Sequence, residues 1–159
     1  MFGKSLSKQI LYNKPEEKKY YAGLIRIDER DTFSGAYQET INKCFTLIQK
    51  YNGDVNQFLG GIILALWGVP LCFHTDKEKS IAFFDELKNS GLSVSSILVS
   101  DIGLYGSFGN KSRLTVTIVS KNIHDALKEI INCDNKTYKN NVVWEDAGVT
   151  NSKFEEKDR

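Results

Sequence analysis

Long hydrophobic runs are missing from this sequence. The longest, Ile62–Trp67, is much shorter than the roughly 20 apolar residues that a helix needs to cross a bilayer. The segment Met1–Ile10 has no long apolar core and therefore lacks the pattern of a secretory signal. These two absences predict a cytoplasmic protein with no membrane-inserted segment.

An excess of charge of either sign is also missing. Lysine and arginine together number 21, against 20 aspartate and glutamate residues, which gives a formal net charge of +1. Such a balance provides no general attraction to nucleic acids or anionic lipids. We therefore predict that nucleic acid is not a partner.

Cysteine is scarce, and the common metal, phosphate and nucleophile motifs are absent. The three cysteines are scattered and odd in number, so they predict reduced, mostly buried thiols rather than a disulfide framework. The sequence has no Walker A loop, no His/Cys metal cluster and no nucleophile elbow. Glycines spaced by three over 103–109 give only a weak signal for phosphate binding. The cysteines are Cys44, Cys72 and Cys133.

The size and composition of the chain are those of one globular domain. It has 159 residues, of which 41% are apolar and 26% are charged. A polar, charge-rich stretch over 1–19 predicts a flexible leader, and a second polar stretch over 151–159 predicts a tail. The stretch between them, 20–150, is the predicted domain.

Hydrophobic periodicity predicts an α+β fold. Apolar residues three and four apart mark three helices, while shorter apolar or alternating runs mark strands. Their order predicts a ferredoxin-like antiparallel sheet with helices packed on it. The predicted helices are 34–51, ended by Gly53; 76–89, with Ile81, Phe84 and Leu87 on one face; and 122–132. The predicted strands are 20–27, 55–59, 62–67, 94–99, two segments within 103–119 separated by 109–112, and 142–144.

The stretch NGDVNQFLGGIILALWGVP, 52–70, carries the most specific signal. Two strand-like runs flank Gly60-Gly61, a two-residue turn that favours a tight β-hairpin. The stretch resembles the central hairpin of the class III nucleotidyl cyclases, the adenylate/guanylate cyclase catalytic domains. That resemblance implies a cyclase-type fold with active sites between two protomers. It also implies two departures: Gly61 stands where the family has a metal-binding Asp, and Gln57 where many adenylate cyclases have a lysine that contacts adenine.

Asp28 is the one metal ligand that the resemblance leaves in place. The segment AGLIRIDERDTFS, 22–34, is similar to the family's opening strand, which ends in a metal-binding Asp. The alternative is that Asp28 is a solvated loop residue that helps to cap the following helix. Asp31 or Asp54 could replace the second carboxylate, although neither stands at the family's position.

The segment YGSFGNKSRLTVTIVSKNIHDALKEI, 105–130, resembles the family's remaining motif. The resemblance implies base selection by Thr117. It places His124 and Lys128 where the family has the Asn and Arg that stabilise the transition state, while Ser120 and Lys121 replace a Gly-Asp pair. Because His124 and Lys128 are four apart, they share one helix face. That face is either a solvated surface or one that reaches phosphate across a dimer interface.

These substitutions determine the predicted function. Two metal ions activate the nucleophile and clamp the triphosphate in the implied reaction, and Mg²⁺ binds through carboxylate and phosphate oxygens. Asp28 alone does not readily hold two such ions. We therefore predict a catalytically inactive cyclase-homology domain that needs no cofactor and acts as a homodimer or as a heterodimer with a cyclase-like chain. Residual nucleotide or anion binding would involve Gln57 and Thr117.

The sequence also fits two alternative functions. One is a divergent nucleotidyl cyclase that works with Mg²⁺ or Mn²⁺, either alone or as one half of a heterodimer. The other is an unrelated ferredoxin-like binding module, because the order of elements alone does not give a function.

Overall fold

The computed structural model describes residues 14–29, 31 and 33–132, together with the backbone of two further strands. The predicted leader lies outside these residues up to position 13, and Cys133 lies outside them as well. The helices are α1 (Gly35–Lys50), α2 (Asp76–Asn89) and α3 (Lys121–Asn132). The strands are β1 (Glu16–Ile27), β2 (Asp54–Leu59), β3 (Ile62–Trp67), β4 (Val94–Asn110), β5 (Arg113–Val119), β6 (Tyr138–Val143) and β7 (Lys153–Glu156).

The strands β1 to β5 form one antiparallel sheet in the order β2-β3-β1-β4-β5. The first four strands, read as β4-β1-β3-β2, have the ferredoxin-like order, and α1 and α2 pack together on one face. The predicted α+β, ferredoxin-like class is therefore confirmed. The strands β6 and β7 form a separate pair, so a strand lies within the stretch predicted to be a polar tail.

Side chains of β1 alternate between two hydrophobic layers. Tyr20, Ala22 and Leu24 lie on the face that α3 covers, whereas Ile25 and Ile27 lie on the face that α1 and α2 cover. This period of two is the expected geometry of a strand that is buried on both faces. The sheet is therefore the middle layer among the described elements, with α3 on one side of it and α1 and α2 on the other.

The first half of β1 and the whole of β4 correct the predicted strand boundaries. β1 begins at Glu16, four residues before the predicted strand. β4 is a single strand from Val94 to Asn110, so it includes the predicted gap over 100–102, and the turn predicted over 109–112 lies at 111–112. Its glycines lie in the strand, and a Cβ on Gly109 would stand 2.1 Å from the carbonyl oxygen of Arg113. Gly103 and Gly109 permit close backbone approach between β4 and β5, whereas Gly106 lies against Pro15, so the three glycines do not form a phosphate-binding loop.

The end of α1 also differs from its prediction. Asn52, rather than Gly53, takes the left-handed conformation, with a φ of 61°. The Gly53 N–H then donates to the Ile48 carbonyl oxygen at 2.9 Å, the pattern of a Schellman motif. Gly53 is needed for a second reason: a Cβ there would lie 2.7 Å from the ring of Trp67.

The buried face of α2 is shifted from the predicted one. Phe83, Phe84 and Leu87 are buried, while Ile81 is 36% exposed.

Of the cysteines, Cys44 is buried as predicted, and burial raises the pKa of its thiol to about 11. Cys72 is exposed, which corrects the expectation of a buried thiol. None of the three described helices is long and apolar enough to cross a membrane.

Candidate functional site

The Gly60-Gly61 turn places Gly61 beside the end of β1. Both glycines have positive φ values, 62° and 79°, as the predicted two-residue hairpin turn requires. The N–H of Ile27 donates to the Gly61 carbonyl oxygen at 2.9 Å. Asp28 is the next residue along, so the two positions that the resemblance pairs are neighbours in the fold.

Both carboxylate oxygens of Asp28 are engaged within the chain. Arg26 Nε donates to Oδ1 at 2.7 Å, and the Ser95 hydroxyl donates to Oδ2 at 2.6 Å. The Asp28 side chain is only 5% exposed. A buried carboxylate of this kind is stable because it is paired with a cation and hydrogen-bonded. Asp28 is therefore a buried, paired carboxylate rather than the solvated loop residue of the alternative prediction.

Arg26 connects this end of β1 to α3. Its Nη1 donates to the Ile130 carbonyl oxygen at 2.7 Å, in the last turn of the helix, and its Nη2 lies 3.4 Å from the Ser95 hydroxyl oxygen. Arg26 was not among the predicted site residues, although the sequence carried a signal for it. Arg26 lies in β1 and Asp28 directly follows the end of that strand, so the two residues share the face that carries the buried Leu24. A charge in such a position requires a partner.

Tyr37 lies beside Gly61, the position where the resemblance implies a metal-binding carboxylate in the family. A Cβ built on Gly61 would lie 3.1 Å from the Tyr37 hydroxyl oxygen, which is a tight contact. Tyr37 belongs to the first turn of α1, whose N-terminus is capped by the Ser34 hydroxyl. The cap and the tyrosine together fix α1 close to the hairpin turn.

Neither Asp31 nor Asp54 is placed to replace that carboxylate. Asp31 accepts the N–H of Phe33 at 3.1 Å, a local turn that leads into α1. Asp54 pairs with Leu66 on β3, and Leu66 pairs with Ala22 on β1. Because Ala22 is six residues before Asp28, Asp54 lies roughly 20 Å from Asp28 along the strand direction. Burial raises the pKa of Asp54, although a hydrogen bond with Asn56 acts in the opposite direction.

The residues at this end of the sheet do not fit a two-metal site. Across the described part of the chain, no three His, Cys, Asp or Glu side chains are grouped so that they could hold a metal ion. Asp28 is neutralised by Arg26, and Gly61 has no side chain. A guanidinium also repels a divalent cation from the carboxylate to which it is bound.

Gln57 and Thr117 are brought together across the two edges of the sheet. The sheet curls until β2 approaches β5, and Gln57 Nε2 donates to the Thr117 hydroxyl at 3.0 Å. Thr117 in turn donates to Asn56 Oδ1 at 2.8 Å, and Asn56 Nδ2 donates to the Val116 carbonyl oxygen at 3.2 Å. The resemblance named Gln57 and Thr117 separately, whereas the role of Asn56 was missed.

An apolar cavity of about 460 Å³ opens beside this pair, between the hairpin, β5 and α3. Gln57 and Thr117 supply the polar side chains of its lining. The other side chains that line it are Leu24, Leu59, Ile62, Leu64, Ile118, Ile123, Leu127 and Ile131.

His124 and Lys128 lie on the exposed surface of α3. Neither residue lines the cavity; the α3 residues that do so are Ile123, Leu127 and Ile131. Ser120 has a structural role at the start of the same helix, because its hydroxyl accepts the N–H of Asn122 at 3.1 Å.

Tyr20 is the second partner of the Ser120 hydroxyl. Its own hydroxyl shares a short hydrogen bond with that of Ser120, and burial raises the pKa of Tyr20 above its ordinary value. The phenol therefore stays protonated and links β1 to the start of α3.

The sequence matches no protein-family model, and no curated protein is similar to it at a significant level. Solved structures do resemble it. The adenylyl cyclase CyaB from P. aeruginosa has a TM-score of 0.59 and 16% identity, over 77% of this chain and 76% of that one. The guanylyl cyclase Cya2 has a TM-score of 0.58 and 12% identity, over 91% and 94%. The guanylate cyclase domain of RhGC from Catenaria anguillulae has a TM-score of 0.60 and 11% identity, over 75% and 76%.

At sequence identities this low, the comparison shows a shared fold and does not extend to activity. The chain has the fold of class III adenylyl and guanylyl cyclase catalytic domains, as the resemblance in sequence predicted.

Proposed function

We propose that this chain is a catalytically inactive cyclase-homology domain that acts by pairing, with a second copy or with a cyclase-like chain. The observation that carries the proposal is the Arg26–Asp28 ion pair. Its Nε–Oδ1 distance of 2.7 Å puts a fixed positive charge where the implied reaction needs a metal ion. With Gly61 opposite, the donor set for a second ion is missing, so the domain works without Mg²⁺ or Mn²⁺.

Exposed apolar side chains on the arm formed by β4 and β5 support pairing. Leu104 and Val119 face each other across the two strands, and Ile102 lies two residues before Leu104, on the same face. These three side chains are 43%, 53% and 56% exposed. Adjacent exposed apolar residues of this kind are typical of surfaces that a partner covers. We call these three residues the arm patch.

The absence of catalysis is tested by incubating the purified chain with Mn²⁺ and each of the four nucleoside triphosphates. Mn²⁺ tolerates imperfect ligand geometry better than Mg²⁺, so it gives activity the best chance to appear. We expect no 3′,5′-cyclic product by mass spectrometry above the rate without protein. A product that forms with the wild-type chain and is lost in Asp28→Asn would contradict the proposal.

Pairing through the arm patch is tested with Leu104→Lys. The added charge would be buried on association, so we expect it to weaken self-association at least tenfold, measured by sedimentation velocity over a range of concentrations. Leu71→Lys is the matched control, because Leu71 is 68% exposed in the loop after β3 and lies outside the patch. Equal association of the two variants would exclude the arm patch as the self-pairing surface. If the wild-type chain is monomeric, the same pair of variants is compared for binding to a class III cyclase domain.

A divergent cyclase that shares its active site with a partner is the second candidate. The Gln57–Thr117 contact favours it, because the position of the implied base-recognition pair is preserved while the metal ligands are not. In such a heterodimer the partner would supply both metal carboxylates. The test adds a catalytic class III domain whose own base-recognition pair has been inactivated. If cyclic product forms only in the mixture of the two chains, the result supports this candidate over the first.

A further inference from the structure

We infer that the cavity beside Gln57 and Thr117 binds an uncharged, mostly apolar small molecule that carries one hydrogen-bond donor. This inference deepens the proposed function and rests on it, because it requires a chain without the metal site. With a metal site, a metal-bound triphosphate would compete for the same opening. Three observations lead to it: the volume of the cavity, the character of its lining, and the direction of the hydrogen bonds at its polar end.

The volume and lining favour a neutral ligand. About 460 Å³ lies within the range of small-molecule sites, and it exceeds what a purine ring alone would fill. Eight aliphatic side chains from the sheet, the hairpin and α3 surround it. Among the described residues that line it, none is charged. A phosphate group would therefore lose its hydration there and gain no cation in return.

The directions of the hydrogen bonds determine which group the polar end of the cavity presents to a ligand. Asn56 must donate its Nδ2 to the Val116 carbonyl oxygen, so its Oδ1 accepts the hydroxyl hydrogen of Thr117. The Thr117 oxygen then accepts from Gln57 Nε2. Within the described part of the chain, no donor is assigned to Gln57 Oε1. Gln57 therefore presents a carbonyl acceptor at the rim of an apolar cavity, which suits an N–H or O–H on the ligand.

The test uses 1-aminoanthracene, a neutral fluorescent amine with an apolar body and one donor group. We expect one probe per chain, with enhanced, blue-shifted emission. Leu127→Trp fills the cavity from α3 and should weaken binding about tenfold or more, since the apolar volume is then occupied. Leu71→Trp is the control, because Leu71 lies in the loop after β3, outside the arm patch, and does not line the cavity. Gln57→Leu removes the acceptor and should weaken binding by about fivefold.

Two further measurements test whether the cavity is the binding site. Leu59→Trp fills the cavity from its rim, where Leu59 is 80% exposed, so it blocks binding even if Leu127→Trp does not fold. Millimolar ATP or GTP, with and without Mn²⁺, should not displace the probe. Displacement by either nucleotide, unchanged binding in both tryptophan variants, or a signal that falls as the chain is concentrated would overturn the inference. The last outcome would show that a second copy fills the cavity. None of these results depends on whether cyclic product is made.

Discussion

Arg26→Met is expected to lower the free energy of unfolding by about 3 kcal/mol at neutral pH. The substitution keeps much of the side-chain volume but removes the cation from Asp28, whose side chain is only 5% exposed. It also removes the donor to the Ile130 carbonyl oxygen at the end of α3. A buried carboxylate would then remain with Ser95 as its one described partner, which is far costlier than losing an exposed pair. Urea unfolding followed by circular dichroism measures the change.

The matched control for this prediction is Lys50→Met. Lys50 and Glu86 form an ion pair with the same 2.7 Å separation, but their side chains are 58% and 41% exposed. Solvent screens such a pair, so the urea midpoint should hardly move. The double variant Arg26→Met/Asp28→Asn should recover much of the loss, because no unpaired charge remains. If Arg26→Met and Lys50→Met unfold at the same urea concentration, the buried pair does not stabilise the end of β1.

Local sequence patterns predicted most of the fold because the residues that determine each helix or hairpin lie close together in the sequence. The hairpin followed from two apolar runs around Gly60-Gly61, and both glycines have the positive φ that such a turn needs. α1 and α2 followed from the three- and four-residue spacing of their apolar residues. β4 was divided incorrectly, since the residues over 100–102 belong to it, and the predicted turn began two residues too early, at Gly109. At Gly109 the glycine instead accommodates the close approach of Arg113 on the next strand.

The candidate site was less predictable because its contacts join distant parts of the chain. Gln57 and Thr117 are 60 residues apart in sequence, and they meet only because the sheet curls. Asp28 and Ser95 are 67 residues apart, so the alignment of Asp28 with a metal ligand gave no indication that its oxygens are already engaged. The presence of Arg26 on the same buried strand face was the one local signal of that pairing.

Gly61→Asp combined with Arg26→Met is expected to create a Mn²⁺ site that the wild-type chain lacks. The double variant places two carboxylates side by side without the guanidinium, and hard divalent cations prefer oxygen ligands of that kind. Aspartate tolerates the φ of 79° at position 61 better than most residues, and the Tyr37 hydroxyl would have to move by a few tenths of an ångström. At a Mn²⁺ concentration one hundred times the dissociation constant, the ion would stabilise the fold by about 2.7 kcal/mol.

The measurement is the melting temperature of four chains, titrated with Mn²⁺: the wild type, each single variant and the double variant. A saturable rise confined to the double variant means that Arg26 and Gly61 together account for the missing metal site. Gly61→Asn in the Arg26→Met background is the control, since it adds the same volume without the charge. The same response in that control, or a response in the wild type, would show that Mn²⁺ binds elsewhere. Stability is the better readout because the resemblance places His124 and Lys128 where the family has Asn and Arg, so a restored metal site need not restore catalysis.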